Sequence, residues 1–63
     1  IAGPGMHVIR ADPDYVRRVH SAGAQVHVWT VDEPADIDLC IDLGVDAMIS
    51  NRPADVLERL GRL

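Results

Sequence analysis

Acids close enough to pair, three histidines, one cysteine and an arginine beside a helix start are the residues of this chain that could do chemistry. Asp32, Glu33 and Asp36 lie near enough in sequence to form a carboxylate pair for acid/base work or part of a metal shell. Their place at the start of an apolar-periodic segment has a plainer cause, because capping and the helix dipole both select acids there. Asn51, Arg52 and Asp55 share that setting, with Arg52 the side chain that could approach an anionic substrate. His7, His20 and His27 show neither His-x-His nor His-Glu-x-x-His spacing, so no metal site is expected within the segment. His27 stands two residues before Trp29 and shares its side of a strand, as a hydrogen-bonded histidine rather than a catalytic one. Cys40 is the sole cysteine; set among Ile37, Ile41 and Leu43, it reads as a small buried hydrophobe, not a nucleophile. Gly3-Pro4-Gly5 lacks the lysine and hydroxyl residue of a phosphate-binding loop.

Positioning such groups falls to short, regularly alternating elements. Residues 1–11 read as a loop, with a short extended piece at His7-Val8-Ile9. Asp12 as N-cap, Pro13 at the first helical position and Gly23 as a left-handed stop define a helix over 12–23. The β-branched and aromatic run over 25–31 shows little alternation in polarity, as in a strand covered on both faces. Asp32, Glu33 and Pro34 then cap a helix over 33–43 that turns Asp36, Asp38 and Asp42 to solvent. A strand over 47–50 follows, and Asn51 with Pro53 opens a last helix over 52–63 with Val56, Leu57, Leu60 and Leu63 facing inward. Short links between successive elements make the two strands parallel, the organisation of an α/β fold. A closed parallel barrel needs about 250 residues, so this segment supplies about a quarter of one. Trp29 would then lie at the C-terminal end of a strand, where barrel enzymes gather their sites, either as a pocket wall or as a plug of the core.

Composition narrows the partners. At 63 residues the chain is at most one domain. It begins at Ile1 without an initiator methionine and is expected to be a segment of a longer product. Ten acidic residues oppose six scattered arginines for a net charge of -4, and Tyr15 and Trp29 are the only aromatics. Neither the basic stripe nor the stacking platform of a nucleic-acid binder is present. No apolar run approaches the ~20 residues of a membrane span and no signal-peptide pattern is visible, but in a segment of a longer product this leaves the compartment open, with the cytoplasm as the default expectation.

Trp29-Thr30-Val31-Asp32, Leu43-Gly44-Val45-Asp46 and Ile49-Ser50-Asn51-Arg52-Pro53 together resemble the C-terminal end of the glycerophosphodiester phosphodiesterase family. That family has Trp-Thr-Val-Asn, then Leu-Gly-Val-Asp-Gly, then a last strand ending in Thr-Asp-x-Pro. Here Asp32 replaces the usual asparagine, Ala47 a frequent glycine, and Ser50-Asn51 the Thr-Asp pair. The resemblance implies the C-terminal portion of a TIM (β/α)8 barrel, about its last two β/α units plus the preceding helix, with 25–31 and 47–50 as the seventh and eighth strands. It implies hydrolysis of glycerophosphodiesters to glycerol 3-phosphate and an alcohol by a parent enzyme that uses a divalent metal, magnesium or calcium, and a histidine pair. The motifs for those groups belong to earlier strands, so this segment would supply scaffold and one pocket wall, with Trp29 beside the glycerol moiety as its substrate-binding residue. Related phospholipase-type enzymes, and a non-catalytic segment acting only in packing or assembly, are the alternatives. The rest of the barrel is the expected partner, and the isolated segment is expected to be inactive and to self-associate through its uncovered sheet.

Overall fold

Short apolar runs and amphipathic helices leave this chain one economical arrangement, with its helices packed on one face of a small parallel sheet. The computed structural model describes residues 1–61. In chain order these form α1 (Met6–Ala11), α2 (Tyr15–Ser21), β1 (His27–Trp29), α3 (Pro34–Leu43), β2 (Ala47–Ile49) and α4 (Pro53–Leu60). β1 and β2 pair in parallel with His27 opposite Ala47, Val28 opposite Met48 and Trp29 opposite Ile49. Val31 N–H extends the ladder by donating to the Ile49 carbonyl at 2.9 Å.

The first eleven residues differ most from expectation. Residues 2–5 run parallel to β1, bridging Ala2 to Val26 and Gly5 to Trp29. Ala2 N–H reaches the Gln25 carbonyl at 2.8 Å, His27 N–H reaches the Ala2 carbonyl at 2.9 Å, and Trp29 N–H reaches the Pro4 carbonyl at 3.2 Å. Pro4 offers a carbonyl but no N–H, which leaves bridges in place of a continuous strand. His7-Val8-Ile9 is not extended but lies inside α1. Its Met6 and Ile9, three apart, are buried, and the Met6 sulfur lies 3.7 Å from Cys40 Sγ on α3. One and a half turns are too short to display a period, and packing stabilises such a helix where propensity does not. The chain thus carries two strand-to-helix units, preceded by a bridged extended segment and two short helices.

Two expected caps take other partners. α2 starts at Tyr15, and Asp12-Pro13-Asp14 forms a turn in which Tyr15 N–H donates to the Asp12 carbonyl at 3.0 Å. The Asp12 and Asp14 carboxylates pair with Arg18 and Arg17, whose charge-assisted bonds outcompete a backbone amide. α3 has Glu33 as its N-cap residue without a side-chain cap bond, Pro34 at its first position, and Gly44 at φ +74° as the left-handed stop. Arg52 takes the corresponding place before α4, likewise without a side-chain cap bond.

Burial follows the pleat. Val26, Val28 and Val31 are fully buried with Ile9, Val16, Ile37 and Cys40, whereas Trp29 is 50% exposed and its register partner Ile49 54% exposed. Only the helix-bearing face of β1 is covered, so the expectation of cover on both faces does not hold within this chain. On α4, Val56 is buried but Leu57 is 68% exposed and Leu60 also stands open, because none of the described residues packs beyond the free edge of β2. Leu63 lies outside the described residues. A groove of about 610 Å³, lined by Val45, Ala47, Ile49, Pro53, Leu57 and Leu60 among others, occupies that place. Asp36, expected in solvent, is only 7% exposed and receives the Arg10 Nε–H of α1 at 2.9 Å, because the early helix covers that end of α3. Asp38 and Asp42 face outward as expected.

Candidate functional site

Parallel pairing brings the C-terminal ends of the three extended segments, Gly5, Trp29 and Ile49, to one rim. Trp29 is the large side chain there. Its indole N–H donates to the Gly3 carbonyl at 2.7 Å, and the following peptide, Trp29–Thr30, is cis. At Gly5 a Cβ would lie 3.7 Å from Trp29 Cζ2, an ordinary contact, and 2.8 Å from the exposed His7 imidazole, which would have to turn aside. The ring is thus held edge-on by the main chain of residues 3–5 and is half exposed within this segment. His7 is exposed at the start of α1.

The two loops of the rim are tied by one carboxylate. Asp32 Oδ1 accepts the Ser50 hydroxyl at 2.8 Å and the Asn51 N–H at 2.9 Å, while Ser50 Oγ accepts the Arg52 N–H at 2.9 Å. These bonds, Asn51 N–H first and Ser50 next, hold the Asp32 carboxyl below the usual carboxylate range, with the Arg52 charge acting in the same direction. Asp32 therefore braces the next loop instead of capping its own helix. The Arg52 side chain is exposed, and Asp55 is exposed on the first turn of α4.

The remaining candidates are dispersed. Asp36 is held below its ordinary range by the Arg10 hydrogen bond, against the opposing effect of burial, and does not join Asp32 or Glu33. His27 Nε2 lies 3.1 Å from Gln25 Oε1. His20 sits at the opposite edge of the sheet, where its Nε2 is 2.8 Å from Asp46 Oδ2. Burial, aided by the Asp36 charge, pushes the Cys40 thiol up to about 11, which fits a packing role and not a nucleophile. Among the described residues no group of three or more His, Cys, Asp or Glu is placed to hold a metal ion. No helix among them is long and apolar enough to cross a membrane.

Two features were not deducible from residue type alone. The seat of Trp29 on residues 3–5 leaves no mark in residue type, because its hydrogen bond goes to a main-chain carbonyl. The tie from Asp32 to Ser50 spans eighteen positions, and the equal capping ability of Asp32 for its own helix conceals it.

A family model described as the glycerophosphoryl diester phosphodiesterase family matches residues 2–55. "Probable glycerophosphodiester phosphodiesterase 2" of Mycobacterium tuberculosis strain H37Rv is 51% identical over 45 residues, covering 71% of this chain and 17% of that protein. "Probable glycerophosphodiester phosphodiesterase 1" of Mycobacterium tuberculosis strain CDC 1551 is 35% identical over 51 residues, covering 81% of this chain and 19% of that protein. The chain thus spans less than a fifth of the length of these curated relatives. No solved structure gives a significant match.

Proposed function

Because the chain belongs to the glycerophosphoryl diester phosphodiesterase family, we propose that it forms the C-terminal portion of a TIM (β/α)8 barrel that hydrolyses glycerophosphodiesters to glycerol 3-phosphate and an alcohol. The observation that carries this reading is the match over residues 2–55, which takes in all three parallel segments and the rim loops between them. β1 and β2 are then the seventh and eighth strands, and residues 2–5 belong to the sixth. Their bare face, with Trp29 and Ile49, lines the barrel interior, and the free edge of β2 meets the rest of the barrel. Within the reaction, water attacks the phosphorus and the alcohol departs, so charge must be offset at the phosphate and protons moved at both oxygens. This segment supplies positioning: the indole of Trp29 is an apolar wall for the glycerol carbons, and the Asp32 tie fixes the loop that carries Arg52.

The described side chains do not fit a divalent metal, since no three candidate ligands are grouped. Ligands for magnesium or calcium would come from the earlier strands of the parent enzyme.

The test is release of glycerol 3-phosphate from glycerophosphocholine by the full-length protein, with loss on chelation and recovery with magnesium or calcium. Residues 1–63 alone are expected to release none above a tag-only control and to self-associate in sedimentation. Failure of the full-length protein to turn over any glycerophosphodiester would overturn the reading, and turnover by the segment alone would overturn its scaffold role.

A further inference from the structure

We propose that Arg52 recognises the phosphate group of the substrate and product, a role that rests on the phosphodiesterase reading above. Arg10, Arg17, Arg18 and Arg59 are each ion-paired, with Asp36, Asp14, Asp12 and Asp38. Arg52 is the one arginine among the described residues without such a pair, and it is the one on the rim where the parallel segments end. Its backbone is fixed while its side chain is open: Ser50 Oγ accepts its N–H at 2.9 Å, and Ser50 is in turn held by Asp32. An arginine anchored at the main chain and left with all its guanidinium donors unused is suited to bidentate capture of an oxyanion.

Asp32 is an acid on the same rim, and the charge of Arg52 helps to hold its carboxyl below the usual range. Its Oδ1 already accepts two hydrogen bonds from the rim, and it forms no salt bridge with Arg52, so the guanidinium remains available to a ligand. The position has a general precedent in the fold: barrels frequently bind phosphate at the loops following their seventh and eighth strands. Arg52 occupies the loop after β2, the proposed eighth. In a chain of net charge -4, one unpaired cation at the rim also gives an anionic ligand a local point of attraction.

The experiment uses the full-length protein and calorimetric titration with glycerol 3-phosphate, with glycerol as the uncharged control. Arg52→Ala is expected to weaken glycerol 3-phosphate about tenfold, the scale of one charge-assisted contact, and to leave glycerol unchanged. Arg52→Lys should recover part of the loss. Added salt should weaken the wild-type protein more than the alanine variant, because a partly exposed contact is screened. With diester substrates, KM should rise equally for glycerophosphocholine and glycerophosphoserine while kcat is kept. Unchanged affinity in Arg52→Ala, or a KM effect confined to the carboxylate-bearing glycerophosphoserine, would overturn the assignment to phosphate. Arg52-dependent binding in a protein without turnover would instead remove the phosphodiesterase reading and leave the anion site standing.

Discussion

The two faces of the sheet are built from similar residue types and meet different surroundings. Val28 on β1 and Val26 just before it are sealed beneath the helices, while Trp29 on β1 and its partner Ile49 on β2 are about half exposed. The covered face gathers its apolar contacts within this one segment and fixes the register of β1 against β2. The bare face carries the tryptophan and, at its C-terminal rim, the arginine. Packing and recognition have therefore been separated by the pleat, since residues one apart on a strand point to opposite sides. Hydrophobicity along β1 therefore reports more than the burial this segment can provide by itself, since only one of its two apolar faces is covered here.

The largest test of that contrast is a pair of truncations. Ile37→Ala removes a fully buried side chain and is expected to cost about 2–5 kcal/mol in urea unfolding of the isolated segment. Ile49→Ala on the bare face should change stability by less than about 0.5 kcal/mol in the same segment at a concentration where it is monomeric. Equal costs would mean that the two faces are equally packed and would break the comparison.

A smaller effect is expected in catalysis. In the full-length protein Trp29→Ala should lower kcat/KM about tenfold, chiefly through KM, because an apolar wall is removed while the proton-transfer groups are untouched. Circular dichroism must remain that of the native protein. A folded variant with unchanged kcat/KM would take Trp29 out of the pocket and leave the bare face with no assigned contact to substrate.

The smallest effect distinguishes the two ends of the sheet. At the N-terminal edge, Asp46 Oδ2 accepts the Val26 N–H at 2.7 Å and lies 2.8 Å from His20 Nε2. The Val26 N–H first, and His20 second, hold the Asp46 carboxyl below its ordinary 3.8. A carboxyl depressed in the folded state contributes stability above its ordinary pKa and loses that contribution as pH falls through the lowered folded value. Melting temperature should therefore drop below about pH 4 more in the wild-type protein than in Asp46→Asn, which keeps an acceptor but does not titrate. Parallel melting curves for the two would show that this end of the sheet is held by backbone pairing alone.

Much of the architecture was legible in residue order. Pro34 at a helix start and Gly44 at its stop bound α3, and Pro53 opens α4, because fixed φ and left-handed φ leave few alternatives at those places. Cys40 could be read as buried from its apolar helical neighbours. Less legible were α1, too short for a period, and the partners of the aspartates. Each aspartate near a helix start can cap that helix or take an arginine or a distant amide, and the choice depends on what the fold brings near. Asp32 and Asp36 took partners 19 and 26 positions away, and Asp12 an arginine six positions on.

Sequence by itself determined the alternation of strands and helices, the parallel pairing and the family resemblance, since all three follow from local periodicity, turn residues and ordered motifs. Only the tertiary structure decided that residues 2–5 lie beside β1, that Trp29 rests edge-on against Gly3 and Gly5, and that Asp32 braces the loop of Arg52. Those contacts join positions 18 to 26 apart, and their hydrogen-bonding groups are generic amides, carbonyls and carboxylates. Such groups carry no label for a distant partner, so their pairing is settled only when packing of the apolar core sets which of them come within reach.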